Sequence, residues 1–359
     1  MNLPIGRRTT LEIGGPAETF VTVRTGAELA AVARDAGPRI RVLGGGSNLV
    51  VHEDGVAGTV VAWSDDAPEP IIEDGGRVEV AAGWEWDDLV ERTVDRGLEG
   101  IEALSGIPGR VGAAPIQNIG AYGQELGQVL EAVELFDPRA RQLWTASAAT
   151  LGLGYRTSRL KADPSCRWIV TRVWLRLRPN TVPSVRYRDL REAIADGLSD
   201  RPGEALWQVR RAVLTVRGRK SMVWRADDEN RRSCGSFFVN PVVSVERAAR
   251  VQAAAAANGL TPGPAHPVDG GVKLSAAWLI EASGFRKGHV DGRVGLSTRH
   301  VLALVNRGGA TATEVLRFAA DIRTTVRDRW NVDLRMEPQV WGFEPDDPLL
   351  AAAGATTAG

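Results

Sequence analysis

Two glycine-rich segments carry the first sign of a binding site in this chain. The first reads LGGGSN over residues 43–48, and the second reads GIPGRVGAAPIQNIGAYG over residues 106–123. Glycine allows a close backbone approach, and free backbone N–H groups can bind a phosphate. Leu49 stands where the G-x-G-x-x-G fingerprint needs its third glycine, so the Rossmann pattern fails. We predict that the two segments converge on a dinucleotide; a tight turn and an unliganded buried loop are the alternatives.

The composition is that of an ordinary globular protein. Of the 359 residues, 43% are apolar and 25% are charged, and Lys+Arg and Asp+Glu both number 44. Zero net charge argues against nucleic-acid binding through bulk charge. Two cysteines, Cys166 and Cys234, and histidines without metal-ligand spacing predict neither a disulfide scaffold nor a metal site. Because the sequence shows no apolar leader and no apolar run of membrane-spanning length, we expect a soluble cytoplasmic protein.

Hydrophobic periodicity predicts a chain that mixes strands and helices. The predicted strands cover residues 21–24, 39–43, 59–63, 77–82, 132–136, 169–177, 236–239 and 332–336. The predicted helices cover residues 27–36, 86–97, 187–194, 206–216, 245–258, 276–281 and 313–330. Thr311 or Thr313 is expected to cap the last helix, with Glu314 in its first turn. The Ala/Gly/Thr-rich end of the chain is expected to be a disordered tail.

Further motifs follow the two glycine segments in a fixed order. They are GYRTS at 154–158, GSFFVNP at 235–241, KLSAAWLIE at 273–281 and MEPQV at 336–340. Together with the glycine segments they strongly resemble the UDP-N-acetylenolpyruvoylglucosamine reductase family, over nearly the whole chain from about Thr10 to Phe343. Any one motif would be weak evidence, whereas the order and spacing of all six make chance an unsatisfactory explanation.

The resemblance implies an α+β fold with three domains. Residues 1–66 and 67–200 would be the two subdomains of an FAD-binding unit of the vanillyl-alcohol-oxidase (PCMH) type. Residues 201–345 would form an α+β substrate-binding domain, and residues 346–359 the disordered tail. The implied cofactors are FAD and NADPH, and the implied partner is a nucleotide-sugar substrate. The implied reaction reduces UDP-N-acetylglucosamine enolpyruvate to UDP-N-acetylmuramate. A monomer without nucleic-acid or membrane partners is expected.

The resemblance also assigns three catalytic residues. Hydride addition to an enol ether that carries a carboxylate builds negative charge beside the carboxylate, so the site needs a cation and then a proton donor. Arg156 would stabilise the charge, because a guanidinium binds a carboxylate at two points. Ser236 would donate the proton, and Glu337 would act as a second acid or orient the other groups. Strand alternation places Cys234 on the face of Ser236, where it would line the site without replacing the donor.

The remaining assignments concern cofactor and substrate. The residues matched to cofactor binding are Gly44, Gly45, Gly46, Ser47, Asn48, Ser105, Ile107, Gly109, Gly112, Gln117, Asn118, Gly120, Ala121, Tyr122 and Gly123. The residues matched to substrate binding are Tyr187, Lys220, Asn240 and Lys273, and no metal ligand is assigned. Arg7 and Arg8 receive no role. Trp84 and Trp86 either cover the flavin or pack in the core, and core packing is favoured.

Two alternative functions stay open at this point. Another flavin oxidase with the same cofactor fold would share the glycine segments but lack YRTS, GSFF and MEPQV. A non-catalytic paralogue that senses a nucleotide sugar would have no need to keep Arg156, Ser236 and Glu337 together. The motifs therefore favour the reductase over both.

Overall fold

The first unit of the protein is a small parallel sheet covered by one helix. The computed structural model describes residues 4–36, 40–163, 168–195 and 197–355. The first elements are β1, Ala17–Val23; α1, Gly26–Ala36; β2, Ile40–Leu43; β3, Leu49–Val51; and β4, Val56–Trp63. Strand β4 lies between β1 and β2 and is parallel to both. Helix α1 packs Leu29 and Ala33 into the core beside Val61. The predicted strand over 39–43 begins at Ile40 in the described residues; residue 39 lies outside them.

The second unit is a five-stranded antiparallel sheet. Its elements are β5, Ile71–Ile72; β6, Arg77–Ala81; α2, Trp86–Asp95; β10, Leu130–Asp137; β11, Gln142–Ser147; and β12, Ile169–Arg176. The strand order is β11-β10-β12-β6-β5. The short elements are β7, Leu98–Glu99; α3, Ala114–Gln117; β8, Gly120–Ala121; β9, Gln124–Glu125; α4, Arg159–Ala162; and β13, Arg178–Pro179. Val173 and Leu175 of β12 and Val61 of the first sheet belong to one hydrophobic core.

A pair of helices follows the second sheet. These are α5, Arg188–Ile194, and α6, Pro202–Arg219. Helix α6 packs against α2, where Arg210 forms an ion pair with Asp87 at 2.6 Å. The domain boundary predicted at residues 200 and 201 stays a prediction, although α6 lies against the second sheet's helix.

The C-terminal unit combines two small sheets with four helices. Its strands are β14, Ser233–Ser236; β15, Val242–Val243; β16, Ala265–Val268; β17, Gly271–Leu274; β18, Val290–Asp291; β19, Val294–Leu296; β20, Ala303–Asn306; and β21, Gln339–Trp341. Its helices are α7, Val245–Ala257; α8, Ala276–Ala282; α9, Ala312–Trp330; and α10, Pro348–Ala353. The sheet orders are β14-β20-β19-β18 and β15-β17-β16, whereas β21 pairs with β3 of the first unit. Thr311 caps α9 in a capping box with Glu314.

Two predicted strands are wrong. The strand expected over 236–239 lies earlier, at β14. The strand expected over 332–336 does not form; in that stretch only Met336 makes an isolated bridge, to Phe238. The cause is competition for backbone groups, because Leu334 O accepts from Arg323 Nε at 3.0 Å and Met336 N donates to Gly354 O at 2.9 Å. The alternating apolar residues of this segment, Val332, Leu334 and Met336, are buried, but the segment does not pair as a strand.

The predicted disordered tail over 346–359 is also wrong for the residues that the structure describes, which end at residue 355. Helix α10 lies inside that range, with Leu350 and Ala353 buried against α9. Asp347 caps it by accepting from Leu349 N at 2.8 Å, and Gly354 at φ +80 ends it. The sequence therefore contained signals for both ends of this helix, namely Asp347-Pro348 at its start and Gly354 at its end. No helix in the described part of the chain is long and apolar enough to cross a membrane.

Candidate active site

The two glycine segments touch each other through bare backbone. A Cβ on Gly45 would lie 2.6 Å from the Cα of Gly109, a distance that real contacts do not reach. Ser47 Oγ holds the contact by donating to the Pro108 carbonyl at 2.9 Å. A cavity of about 300 Å³ opens beside this contact, and both segments line it. The two segments thus come together as predicted, and their contact explains the glycine at position 45.

Part of the predicted cofactor set lines the cavity. These residues are Gly44, Gly45, Gly46, Ser47, Asn48, Ile107, Gly109, Gln117 and Gly120. Trp86 also reaches the lining but is 1% exposed and donates through Nε1 to Leu104 O at 3.1 Å. Most of the Trp86 side chain is therefore packed in the core, which is the favoured interpretation of this residue.

The other predicted cofactor residues support the second segment from behind. Ser105 is fully buried and donates to a backbone carbonyl at 2.6 Å. A Cβ on Gly112 would lie 2.5 Å from the Cβ of Ala82, so this glycine serves packing. Asn118 accepts from Gly127 N at 2.8 Å. The remaining three lie on the β8–β9 hairpin: Ala121, Tyr122 and Gly123. Direct contact of these six residues with a cofactor stays a prediction.

Arg156 and Glu337 meet at the wall of the cavity. Arg156 Nε lies 3.3 Å from Glu337 Oε1. Gln117 Nε2 donates to the same carboxyl oxygen at 2.5 Å, and Asn48 Nδ2 donates to Gln117 Oε1 at 2.7 Å and to the Glu337 carbonyl at 3.2 Å. One polar network therefore joins both glycine segments, the YRTS motif and the MEPQV motif.

The backbone holds Arg156 in a strained conformation. Its φ is +54, in the left-handed region that costs a non-glycine residue on the order of 1 kcal/mol. Contacts with the second glycine segment maintain it: Asn118 Nδ2 donates to Gly154 O at 3.0 Å, and Ser158 Oγ donates to Ile116 O at 2.6 Å. The guanidinium itself donates to the Gly120 carbonyl. The guanidinium is thereby held between the Gly120 carbonyl and the Glu337 carboxyl.

Burial gives Glu337 an unusual protonation equilibrium. Its side chain is 14% exposed, and desolvation raises the pKa of its carboxyl above the ordinary value. The charges of Arg156 and then of Lys161 oppose that rise. A raised carboxyl pKa brings the protonated acid closer to neutral pH, as a proton-donating or proton-sharing role requires.

Ser236 and Cys234 line the same cavity from β14. Both residues line the cavity, but through an irregular strand, with a register shift and Gly235 at φ +76, so regular strand alternation does not explain their placement. Burial raises the pKa of the Cys234 thiol to about 12, so the thiol stays protonated near neutral pH. The Ser236 hydroxyl has no hydrogen-bond partner among the described residues, which leaves it available to a ligand.

Arg217 is a buried cation in the cavity wall that sequence reasoning missed. The residue is 7% exposed, and desolvation lowers the pKa of its guanidinium. The guanidinium donates to the Gly106 and Met222 carbonyls at 3.1 and 2.8 Å, but its Nε has no partner. Within the described chain no carboxylate comes within ion-pair distance of it. A buried charge normally requires a counter-ion, so the cavity is prepared for an anionic ligand.

The predicted substrate residues form two groups outside the cavity lining. Lys273 Nζ lies 4.8 Å from the ring centroid of Tyr155, and Asn240 is within hydrogen-bonding reach of that tyrosine. Tyr155 stands next to Arg156 in the chain and was not assigned a role, although the GYRTS motif contained it.

The second group lies over the α5–α6 helix pair. Tyr187 packs edge-on against Tyr122 with ring centroids 5.9 Å apart, and it is 50% exposed. Lys220 forms an ion pair with Asp189 at 3.2 Å, at the C-terminal end of α6. Substrate contact of both groups stays a prediction.

Two further residues near the site also escaped sequence reasoning. Lys161 lies beside Gln117, behind the cavity lining, whereas Trp224 belongs to the lining and is exposed. For Lys161 a signal existed, because it follows the YRTS motif by one turn of helix. Arg217 and Trp224 flank Lys220, but nothing in the local sequence distinguishes them from neighbouring surface residues.

Comparison with known proteins defines the class of this fold and site. A family model described as an FAD binding domain matches residues 17–146. This range contains both glycine segments and most of the two sheets that hold them. The fold and the cavity are therefore those of an FAD-dependent oxidoreductase, and the predicted α+β architecture with a vanillyl-alcohol-oxidase-type FAD unit is confirmed.

The second family model identifies the particular group. It is described as the C-terminal domain of UDP-N-acetylenolpyruvoylglucosamine reductase and matches residues 227–341. Proteins of that name from Thermobifida fusca and Streptomyces avermitilis are 46% and 41% identical, over 95% of this chain and 97% and 94% of theirs. The crystal structure of the enzyme from Thermus caldophilus is 29% identical with a TM-score of 0.65, covering 95% of this chain and 98% of that one. The chain belongs to the UDP-N-acetylenolpyruvoylglucosamine reductase family.

Proposed function

We propose that this protein reduces the enolpyruvyl group of UDP-N-acetylglucosamine enolpyruvate with NADPH, giving UDP-N-acetylmuramate for peptidoglycan precursor synthesis. The observation that carries the proposal is the contact between Arg156 and Glu337, 3.3 Å apart at the wall of a cavity that Ser236 also lines. Family membership supplies the substrate class, and the side chains supply the charge and proton chemistry that this reaction requires.

The cavity suits FAD by its shape and its charge. Side chains are absent where Gly45 and Gly109 meet, and Arg217 presents a buried positive charge whose Nε has no partner among the residues that the structure describes. We propose that the backbone of residues 44–48 and Gly109 holds the cofactor's phosphate-bearing part, and that Arg217 stabilises negative charge on the bound cofactor. When bound, FAD supplies hydride transfer between NADPH and substrate.

The side chains then stabilise charge and deliver a proton. Hydride addition to the methylene carbon of the enolpyruvyl group leaves negative charge on the carbon beside the carboxylate. The Arg156 guanidinium stabilises that charge as an enolate-like oxyanion. Ser236 donates its hydroxyl proton to that carbon, and the serine oxygen must then regain a proton. We propose that Glu337, in its protonated form, supplies it. Hydride and proton together complete the reduction of the double bond.

The finer assignments belong to the same proposal. Asn240 and Lys273 would contact the nucleotide diphosphate from the Tyr155 side, and Tyr187 and Lys220 from the α5–α6 side. We propose that the reaction takes place in the cytoplasm, where NADPH and nucleotide sugars are available, and that the active form is a monomer.

A two-step anaerobic titration tests the proposal. Purified protein loaded with FAD should lose its visible flavin absorbance on addition of NADPH and regain it on addition of UDP-N-acetylglucosamine enolpyruvate, with UDP-N-acetylmuramate identified by mass spectrometry. Absorbance that bleaches and stays bleached would contradict the substrate. A protein that binds no FAD would contradict the whole assignment.

A further inference from the structure

Lys161 brings a second positive charge to the Arg156–Glu337 pair. It lies on α4, five residues after Arg156, and its ammonium is 3.5 Å from both the Gln117 side-chain oxygen and the Arg156 carbonyl. The side chain is half-buried, and none of the described carboxylates lies within ion-pair distance of it. Burial of an unpaired ammonium is costly, so a specific use for the charge at this position is expected.

The position of Lys161 determines which way the Gln117 amide faces. An ammonium only donates hydrogen bonds, so the Gln117 oxygen must turn toward it. Asn48 Nδ2 approaches the same oxygen at 2.7 Å and is itself oriented by the Glu337 carbonyl. With its oxygen held by two donors, Gln117 must direct its NH₂ group to Glu337, as observed at 2.5 Å.

Few charged groups act on the Glu337 carboxyl in the described part of the chain. Arg156 and Lys161 are the cations that act on it and lower the pKa of its carboxyl. From β14 it is faced by the Cys234 thiol, which is protonated, and beside Arg156 by the Tyr155 phenol, whose pKa burial raises. Neither neighbour contributes a charge near neutral pH, so Lys161 is the second positive charge that acts on Glu337, after Arg156.

We propose that Lys161 is a positioning residue of the reductase site, which holds the Gln117 amide and the strained Arg156 backbone in place and, through them, the Glu337 carboxyl. It acts through these neighbours and does not touch the reacting atoms. The inference rests on the proposed function, because it assigns Lys161 to the half-reaction in which Glu337 and Ser236 handle the proton.

The test measures how the rate of flavin reoxidation by substrate depends on pH in the FAD-loaded Lys161→Met variant. Stopped-flow absorbance monitors the reoxidation. Removing the cation raises the pKa of Glu337. The part of the pH–rate profile that is governed by the ionisation of Glu337 should then move to higher pH by about half a unit or more. This direction holds whether Glu337 works as an acid or as a base. The rate at the optimum should fall about 10-fold. Lys161→Gln removes the same charge with a donor retained and should show the same shift.

Two further variants separate positioning from simple stability. Lys161→Arg keeps the charge and should return that part of the pH–rate profile toward its original pH. Arg159→Met removes a cation from the same short helix, but its side chain is 54% exposed and faces Asp163, so its profile should match the unmodified enzyme.

The outcomes also separate the inference from the proposed function. An unmodified enzyme that does not reoxidise with substrate would defeat the function itself. An unmodified enzyme that turns over, together with Lys161→Met and Lys161→Gln profiles that do not move, would overturn the role of Lys161 alone. A shift shared by Arg159→Met would overturn it too, because the effect would then be one of net charge.

Discussion

Gln117 and Glu337 stand 220 residues apart in the chain, yet the side-chain amide of one donates to the carboxyl of the other at 2.5 Å. Gln117 belongs to the glycine-rich segment of the FAD-binding domain, and Glu337 belongs to the C-terminal unit. The strand pair β3–β21 lies beside this contact and joins the first unit to the C-terminal unit. The bond therefore couples the segment that we propose holds the cofactor to the carboxyl that we propose handles the proton.

Glu337→Gln should separate the two half-reactions. The amide keeps the shape of the side chain but removes the transferable proton and the ion pair with Arg156. We expect flavin reduction by NADPH to persist and flavin reoxidation by substrate to fall by about 10²- to 10⁴-fold. Rapid-mixing absorbance measures both rates. Glu344→Gln, an exposed carboxylate further along the same segment, is the matched control. Equal loss in both half-reactions would point to a damaged cofactor site instead.

Ser236→Ala should show whether the free hydroxyl donates the proton. NADPH should still bleach the flavin, while formation of UDP-N-acetylmuramate should drop by about 10²-fold or more. Ser236→Cys should recover part of the loss, since a thiol can also give up a proton. Product quantified by chromatography at saturating substrate decides the matter. Product formation by the alanine variant at the unmodified rate would remove Ser236 from the mechanism.

The sequence predicted the local features of this protein and the family supplied the distant ones. The glycines at 45 and 109 indicated close backbone approach, and the helix from Ala312 to Trp330 was evident from its periodicity and its Thr311 cap. Both are local signals. The contact of Arg156 with Glu337 was not visible in spacing, because it depends on how three parts of the chain fold together.

The errors have the same origin. Residues 332–336 alternate like a strand, but their backbone groups bond to Arg323 and Gly354, partners that periodicity does not detect. The Ala-rich end suggested disorder, although the two leucines at 349 and 350 were enough to anchor a helix on α9. Arg217 was overlooked because its burial, and an Nε without a partner among the described residues, become visible only in the folded chain.

Gly45→Ala should weaken FAD binding by forcing the glycine segments apart. The added Cβ would meet the Gly109 Cα at 2.6 Å, and rigid backbone cannot move away as a side chain would. Overpacking of this kind costs about 1–3 kcal/mol, so the FAD dissociation constant should rise about 10- to 100-fold. Fluorescence titration of the FAD-free protein measures it. Gly75→Ala, where nothing lies within 4 Å of the new Cβ, should bind FAD normally. Unchanged affinity at position 45 would show that the segments separate freely.

Leu350→Ala should reveal whether the C-terminal helix contributes to the core. Leu350 is 5% exposed and packs against α9, so truncation should lower the free energy of unfolding by about 2–4 kcal/mol. Ala352→Ser lies on the exposed face of the same helix and should change it by less than about 0.5 kcal/mol. Urea unfolding followed by circular dichroism compares them. Equal stability of the two variants would mean that α10 is detached in solution.

Cys234 should resist alkylation while the protein is folded. A raised pKa favours the protonated thiol, and only the thiolate reacts; with a pKa of about 12, roughly 10⁻⁴ of the thiol is ionised at about pH 8. Burial also blocks access, since the residue is 4% exposed. Iodoacetamide treatment followed by peptide mass spectrometry should find the Cys234 peptide unmodified in native protein and fully modified in guanidinium chloride. In the unfolded control, the rate of Cys234 labelling should rise about tenfold per pH unit at pH values below the pKa of the exposed thiol. The native protein should stay unreactive throughout that range. Rapid native labelling would mean that β14 opens, and the cavity wall carrying Ser236 would then have to be regarded as mobile.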